Sequence, residues 1–331
     1  MIKMNYGNAK HLKQLIGDYP KIFNGVSRMQ SRWTALRKKL VKKDAEFAGL
    51  FPKKVDVLLV MDFEGLADIY EKYIGQVWED EIVDDAKSLF AYEGHKDRYG
   101  VTWTGIRSKI VEFLLDKKNG FDIHTCHYCD MAYINVFEVG KKKKTQFDLD
   151  HVLDKGRCPI LALSLFNLVP SCQVCNSNRI KGGKLLYPDA RLRKKLSPTS
   201  LNYDFEGRVK IEVKNKKGEC STIGFEKRMD DYEIKFDTHL DPDYDEEVKA
   251  FHLKERYEYH KCEALWMLDL KERYSDARIL EMARMIAGGS KKKVMPHGAG
   301  YLAQLKKDVF AKEFRKKFHR SFGKMYDDVI G

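Results

Sequence analysis

The sequence predicts an α+β protein with a zinc-stapled centre, and three observations carry that expectation. The first 120 residues read as mostly helical, short β-prone runs begin at Phe121, and two CxxC pairs, Cys126/Cys129 and Cys172/Cys175, enclose the middle of the chain. The expected organisation is a helical region over residues 1–120, a cysteine-bracketed module over 121–200, and a small β-sheet followed by helices over 201–331.

In the first region, Trp103, Ile106, Ile110, Phe113 and Leu114 recur at helical spacing within Thr102 to Asp116. Lys117-Lys118-Asn119-Gly120 then supplies basic last-turn residues and a glycine stop. The apolar run Val55 to Met61 fits a strand or a buried helix equally. Past Phe121, Ala132 to Phe137 and Thr145 to Leu149 are β runs separated by Gly140 and four lysines, which predicts a hairpin with a solvated basic turn. Leu161 to Val169 is apolar and packed, and the second cysteine pair opens a helix near Asn176 to Ile180. Beyond residue 200, Val209, Ile211 and Val213 alternate with polar neighbours, as do Tyr232 to Phe236, and these predict a small sheet. Helices follow over Glu246 to Ile286 and Tyr301 to Ile330. The latter carries Phe310, Phe314, Phe318 and Phe322 beside several basic residues, a stripe that suits a core better than a base-stacking platform.

Composition narrows the class. The chain has 331 residues, 43% of them hydrophobic, which suffices for one large or two modest cores. No run approaches the roughly 18 apolar residues of a membrane span, and the start has no secretory apolar core, so a cytoplasmic protein is expected. The formal net charge of +12 suggests a polyanionic partner. Residues 1–50 hold eleven Lys/Arg against three Asp/Glu, whereas 55–99 hold four against twelve. Nucleic acid would favour the first segment and avoid the second, which could dock a basic protein instead.

The chemistry concentrates between residues 126 and 181. Zinc takes four soft or borderline ligands in a tetrahedron, and a CxxC knuckle turns two thiolates onto one ion. Cys126, Cys129, Cys172 and Cys175 therefore form an expected structural zinc site, leaving Cys158, Cys220 and Cys262 as ordinary buried or half-buried thiols. The clamp would enclose Asp150 and His151, which as strand neighbours face opposite sides unless the strand bends. Asp150 offers hard oxygen suited to Mg²⁺ or Mn²⁺, Asn176 could complement it or cap a helix, and His151 can take a proton near neutral pH. Asp148, two residues before Asp150, shares its strand face and could bond to it in support. Arg179 and Lys181 are candidates for holding phosphate, or solvated helix residues.

The runs FDLDH (147–151) and SLFNLVPSCQVCNSNRIKG (164–182) resemble an HNH endonuclease of the ββα-metal group, with CxxC, DH, NL and CxxCN in the family's order. The resemblance implies a central ββα-metal module in which His151 is the general base. Asp150 and Asn176 would hold the catalytic Mg²⁺ or Mn²⁺, and Asn167 would brace the loop that orients the histidine. The third family position is usually His; Asn176 there makes this an H-N-N variant, which implies Mg²⁺. A wider similarity from Cys158 to Gly182 is to HNH proteins of bacterial phage-defence operons, often encoded beside an ATPase. The sequence itself contains no GxxxxGK[ST] loop, so ATP use would belong to a partner. Two expectations follow: a nuclease acting on DNA, or a zinc-stapled DNA-binding or scaffold protein that no longer cleaves.

Overall fold

The computed structural model of the chain describes residues 1–24, 28–91, 105–121, 123–140, 142–187, 189–216, 229–286, 299–310 and 321–331. Its helices and short antiparallel sheets make it α+β, and none of the described helices is long and apolar enough to cross a membrane. The chain divides into two compact units, Met1–Cys129 with Ile134–Asp204, and Asp130–Tyr133 with Phe205–Gly331.

In the first unit, helix Met29–Lys43 buries Met29, Trp33, Leu36 and Leu40, one stripe of a 3.6-residue period. Trp33 packs edge-on against Phe51 and Phe90, and its indole N–H donates to Pro52 O at 3.0 Å. The ambiguous run resolves as the short helix Val55–Leu59. Helix Phe63–Ile74 starts where the Asp62 carboxylate accepts the Gly65 N–H, and it buries Phe63, Leu66, Ile69, Tyr70 and Tyr73. The periodicity expected from Thr102 appears as helix Ile106–Leu115, with Trp103 outside the described residues. Gly120, at φ 64°, takes the left-handed conformation that closes the following turn.

The helices and the cysteine module share this unit, so no unit boundary falls at residue 120. The reason is direct bonding across it. Tyr19 Oη donates to Leu163 O at 2.8 Å, Ser164 Oγ to Leu58 O at 3.1 Å, and Arg193 forks onto both Glu71 oxygens at 2.6 Å. The charge segregation is also partly consumed inside the unit. Lys39 pairs with Glu81 and Asp85 at 2.6 and 2.8 Å, and Lys72 with Asp44 and Glu46. Basic and acidic segments thus meet each other, where the sequence suggested separate partners.

Strands β1 (Val136–Val139) and β2 (Lys142–Thr145) form the expected hairpin, with Gly140 at φ 63° in its turn. Its first strand begins four residues later than the β run at Ala132. The second run splits. Thr145 ends β2, while β3 (Asp148–His151) pairs antiparallel with β4 (Leu168–Ser171) in the register Asp150↔Val169 and His151↔Leu168. Leu149, Asp150 and His151 are all buried, so this strand belongs to the interior and not to the exposed hairpin. The apolar segment before β4 forms 3₁₀ turns at Pro159–Leu161 and Leu165–Asn167.

The second unit is built on the predicted sheet, β5 (Lys210–Asn215) with β6 (Tyr232–Asp237), paired Ile211↔Phe236 and Val213↔Ile234. Carboxylates take two strand N–H groups: Ile211 N donates to Asp328 at 2.7 Å and Ile234 N to Glu258 at 2.8 Å. Helices Tyr244–Ala250, Leu253–Tyr259, Lys261–Arg273, Asp276–Ile286, Ala299–Val309 and Gly323–Ile330 follow in sequence. Phe310 and Phe322 of the aromatic stripe are buried, whereas Phe314, Phe318 and Cys220 lie outside the described residues. Cys158 is buried, but Cys262 is exposed, since it lies on the outer face of its helix.

Because Arg193 is nearly buried and donates to both Glu71 oxygens, Arg193→Met is expected to destabilise the first unit by about 2 kcal/mol. That corresponds to a fall of about 5 °C in melting temperature by calorimetry. An unchanged transition would show that the pair contributes nothing net.

Candidate metal centre and adjoining polar cavity

The first knuckle closes when Cys129 N donates to Cys126 O at 3.3 Å. It is fastened to β4 by His127 N–H on Pro170 O, a carbonyl whose own residue has no N–H to give. The second knuckle follows β4 without a gap: Cys172 precedes the single helical turn Gln173–Asn176, and its sulfur accepts the Cys175 N–H at 3.4 Å. The four sulfurs lie within 4.8 Å of one another, all in buried residues. A tetrahedral zinc with bonds of about 2.3 Å needs sulfurs about 3.8 Å apart, so this donor set fits a metal such as zinc. The sulfurs already differ in acidity. Burial pushes the Cys126 thiol well up, whereas hydrogen bonding, from Cys126 first, pulls Cys172 well down.

Beside the cluster, a cavity of about 460 Å³ is lined by residues that include Asp148, Asp150, His151, Asp154, Asn176 and Lys181. Asp150 and His151 both line it, although successive strand residues alternate faces; His151 is the last residue of β3, where the strand gives way to the loop. Asp150 is buried, its Oδ2 accepting from Tyr128 Oη at 2.6 Å and its Oδ1 from Lys181 Nζ at 2.8 Å. Burial raises its carboxyl above the usual range, against the opposing pull of Lys181 and Tyr128. Lys181 Nζ also donates to His151 O at 2.7 Å.

His151 is buried too. Its Nε2 lies 2.9 Å from Ala162 O, and a carbonyl can only accept, so Nε2 carries the proton and Nδ1 is the basic nitrogen. Burial first, then the Lys155 ammonium, lowers its pKa to about 3, so the ring is neutral at pH 7. Asn167 is fully buried in three backbone bonds: Oδ1 accepts Leu153 N–H at 2.7 Å, and Nδ2 donates to Leu153 O and Leu161 O. It thereby ties both ends of the loop whose Ala162 holds the histidine ring.

Other candidates sit differently from expectation. Asn176 ends its helical turn and caps no N-terminus, because the helix begins at Gln173 and stops at Ser177. Its Nδ2 donates to Asp148 Oδ2 at 3.2 Å, which leaves Oδ1 as the amide atom able to meet a cation. Asp148 thus bonds Asn176, and its carboxylate also lies 3.9 Å from Arg107. Lys181 is neither a solvated helix residue nor an open phosphate contact, since its ammonium is buried on Asp150 and His151 O. Arg179 is exposed and does not line the cavity.

Tyr128, Arg107, Asp154 and Lys155 join the site without having been singled out from sequence. Only Tyr128 had a local signal, its place inside a CxxC pair. Gly182 shapes the rim: at φ +48°, a Cβ there would come within 2.8 Å of Asn178 Cα. Comparison with protein-family models, with curated proteins and with solved structures finds no match.

Metal analysis is expected to find about one zinc per chain, with Cys126→Ser losing the metal and about 10 °C of melting temperature. A zinc-free native protein with four freely alkylated thiols would contradict this. A second expectation concerns acid. His151 is held neutral when folded but titrates near 6.5 when unfolded, so the unfolded chain binds more protons between those values. Stability should therefore fall as pH drops from 6.5 toward 3. Urea midpoints should decline less steeply over that range in His151→Gln than in the native chain, and equal slopes would refute the buried neutral ring.

Proposed function

We propose that this chain is a metal-dependent endonuclease of the HNH type that hydrolyses phosphodiester bonds in DNA. One observation carries the reading. An antiparallel strand pair and a short helical turn bring Asp150, His151 and Asn176 to the wall of a single polar cavity, directly beside the four-cysteine cluster.

In this reading Asp150 and Asn176 Oδ1 hold a Mg²⁺ or Mn²⁺ ion, which supplies charge stabilisation at the scissile phosphate and the leaving oxygen. His151 Nδ1 accepts a proton from the attacking water, its ring turned by Ala162 O and its loop braced by Asn167. Burial and Lys155 oppose protonation of that ring in the resting protein. An anionic phosphate in the cavity would act against the effect of Lys155. Arg107 and Lys155, both lining the cavity, take the phosphate-holding part that Arg179 and Lys181 were expected to play. The part in bacterial anti-phage defence, with an ATPase as partner, is supported by the resemblance over residues 158–182.

One observation favours the non-cleaving reading, a zinc-stapled DNA-binding or scaffold protein: both carboxylate oxygens of Asp150 already accept hydrogen bonds. Nicking of supercoiled plasmid in Mg²⁺ separates the two. The native chain should cleave, and His151→Ala should lose about 100-fold or more of the rate. Cleavage indifferent to that substitution would overturn the mechanism, and DNA binding without cleavage under any metal or partner condition would establish the scaffold.

A further inference from the structure

Asp150 is held from two sides, and the two donors come from the two halves of the cysteine cluster. Tyr128 lies between Cys126 and Cys129, is 1% exposed, and points its hydroxyl at Asp150 Oδ2 from 2.6 Å. Lys181 follows the second pair, and its backbone N–H donates to Cys175 O at 3.2 Å while its ammonium meets Oδ1. The strand bearing Asp150 pairs with β4, and β4 also receives the first knuckle through His127 N–H on Pro170 O.

We propose that Tyr128 is a positioning residue that couples the four-cysteine metal centre to the cation-binding carboxylate of Asp150. The proposal rests on the reading that Asp150 is a cation ligand. A knuckle backbone closed over two cysteines has little freedom once both sulfurs share an ion, so the ring carried between them inherits that rigidity. Its hydroxyl fixes the rotation of the carboxylate plane. Each oxygen that accepts one protein hydrogen bond keeps a second lone-pair direction for a cation, so the clamp aims the carboxylate without using it up. A cation site tolerates displacement of only about 0.5 Å in its ligands, and loss of a partner outside the ligand shell typically costs 10–100-fold in metal affinity. The sulfur cluster thereby sets the affinity of a site it does not touch.

Removing one hydroxyl tests this. The native 331-residue chain, Tyr128→Phe and Asp150→Asn are compared for zinc content, for Mn²⁺ binding by electron paramagnetic resonance, and for plasmid nicking. Tyr128→Phe should keep about one zinc per chain while its Asp150-dependent Mn²⁺ affinity falls about tenfold or more, with cleavage partly restored by raised Mn²⁺. Affinity within about twofold of native, with zinc retained, overturns the coupling and leaves the nuclease reading standing. Mn²⁺ affinity that tracks Tyr128 in a protein that cuts no nucleic acid supports the coupling and removes the nuclease. Absence of any Asp150-dependent Mn²⁺ binding in the native chain overturns both.

Should Tyr128→Phe fail to fold, the native chain labelled with 3-fluorotyrosine gives the same information by ¹⁹F resonance. A tyrosine signal that moves both on exchange of zinc for cadmium and on addition of Mg²⁺ is expected. No signal responding to both overturns the proposal.

Discussion

Drawing Cys126 and Cys129 against Cys172 and Cys175 closes a long loop, and a metal shared by the four sulfurs would offset much of the entropy lost in that closure. The loop so closed contains β3, the histidine, the Asn167 brace and β4. Without the cluster, β3 and β4 would be two four-residue strands with no tight turn between them, a pairing too short to persist alone. With it, the end of the pair where Asp148 meets Ser171 is anchored twice: His127 bonds Pro170 in β4, and Cys172 begins directly after Ser171. The cavity wall is in this sense a consequence of the sulfur geometry.

The interior that results is unusually polar for its depth. Asp150, Lys181, His151 and Asn167 are all buried, and such groups persist only when their hydrogen-bonding atoms find partners. Here Lys181 answers Asp150 and the His151 carbonyl, Asn167 answers three loop backbone groups, and Ala162 answers the imidazole. Replacing one member alone would leave its partners buried without their hydrogen bonds, so the four side chains stand or fall together.

What sequence could reveal divides along local and non-local lines. Contiguous motifs with their own physics were legible: the CxxC pairs, helix Ile106–Leu115 with its glycine stop, and the alternating strands of the β5–β6 pair. Pairings that depend on distant residues were not. The run from Thr145 to Leu149 looks like one strand, yet its two halves join different sheets, because burial of Leu149 and Asp150 competes with hairpin closure. Lys181, in a glycine- and lysine-rich stretch, reads as solvated; Asp150 and the His151 carbonyl, distant in sequence, account for its burial. The segregated charges of the first hundred residues are in part answered within the same unit, at Lys39 and Lys72, by pairings no local pattern announces. Of the candidate residues, Asp148, Asp150, His151, Asn176 and Lys181 come together on one cavity, while Arg107 reaches it from a helix that carries no motif at all.

The electrostatics of that cavity bear on the order of events. Among its lining residues Arg107, Lys155 and Lys181 stand against Asp148, Asp150 and Asp154, so the wall has no formal excess of either sign. Lys181 and Asp150 are committed to each other, and Asp148 is engaged by Asn176. A phosphate diester arriving alone would meet as much repulsion as attraction inside. The net charge of +12 can draw a polyanion to the surface, but at separations beyond about 10 Å its pull is screened. In the proposed reaction, a divalent ion held by Asp150 and Asn176 would add two positive charges to that wall within contact distance, where screening is weakest. Asp150 and Asn176 would in that case make the phosphate site as well as serve the chemistry. On this proposal the precision with which Tyr128 and Lys181 hold Asp150 would bear on substrate binding before it bears on catalysis.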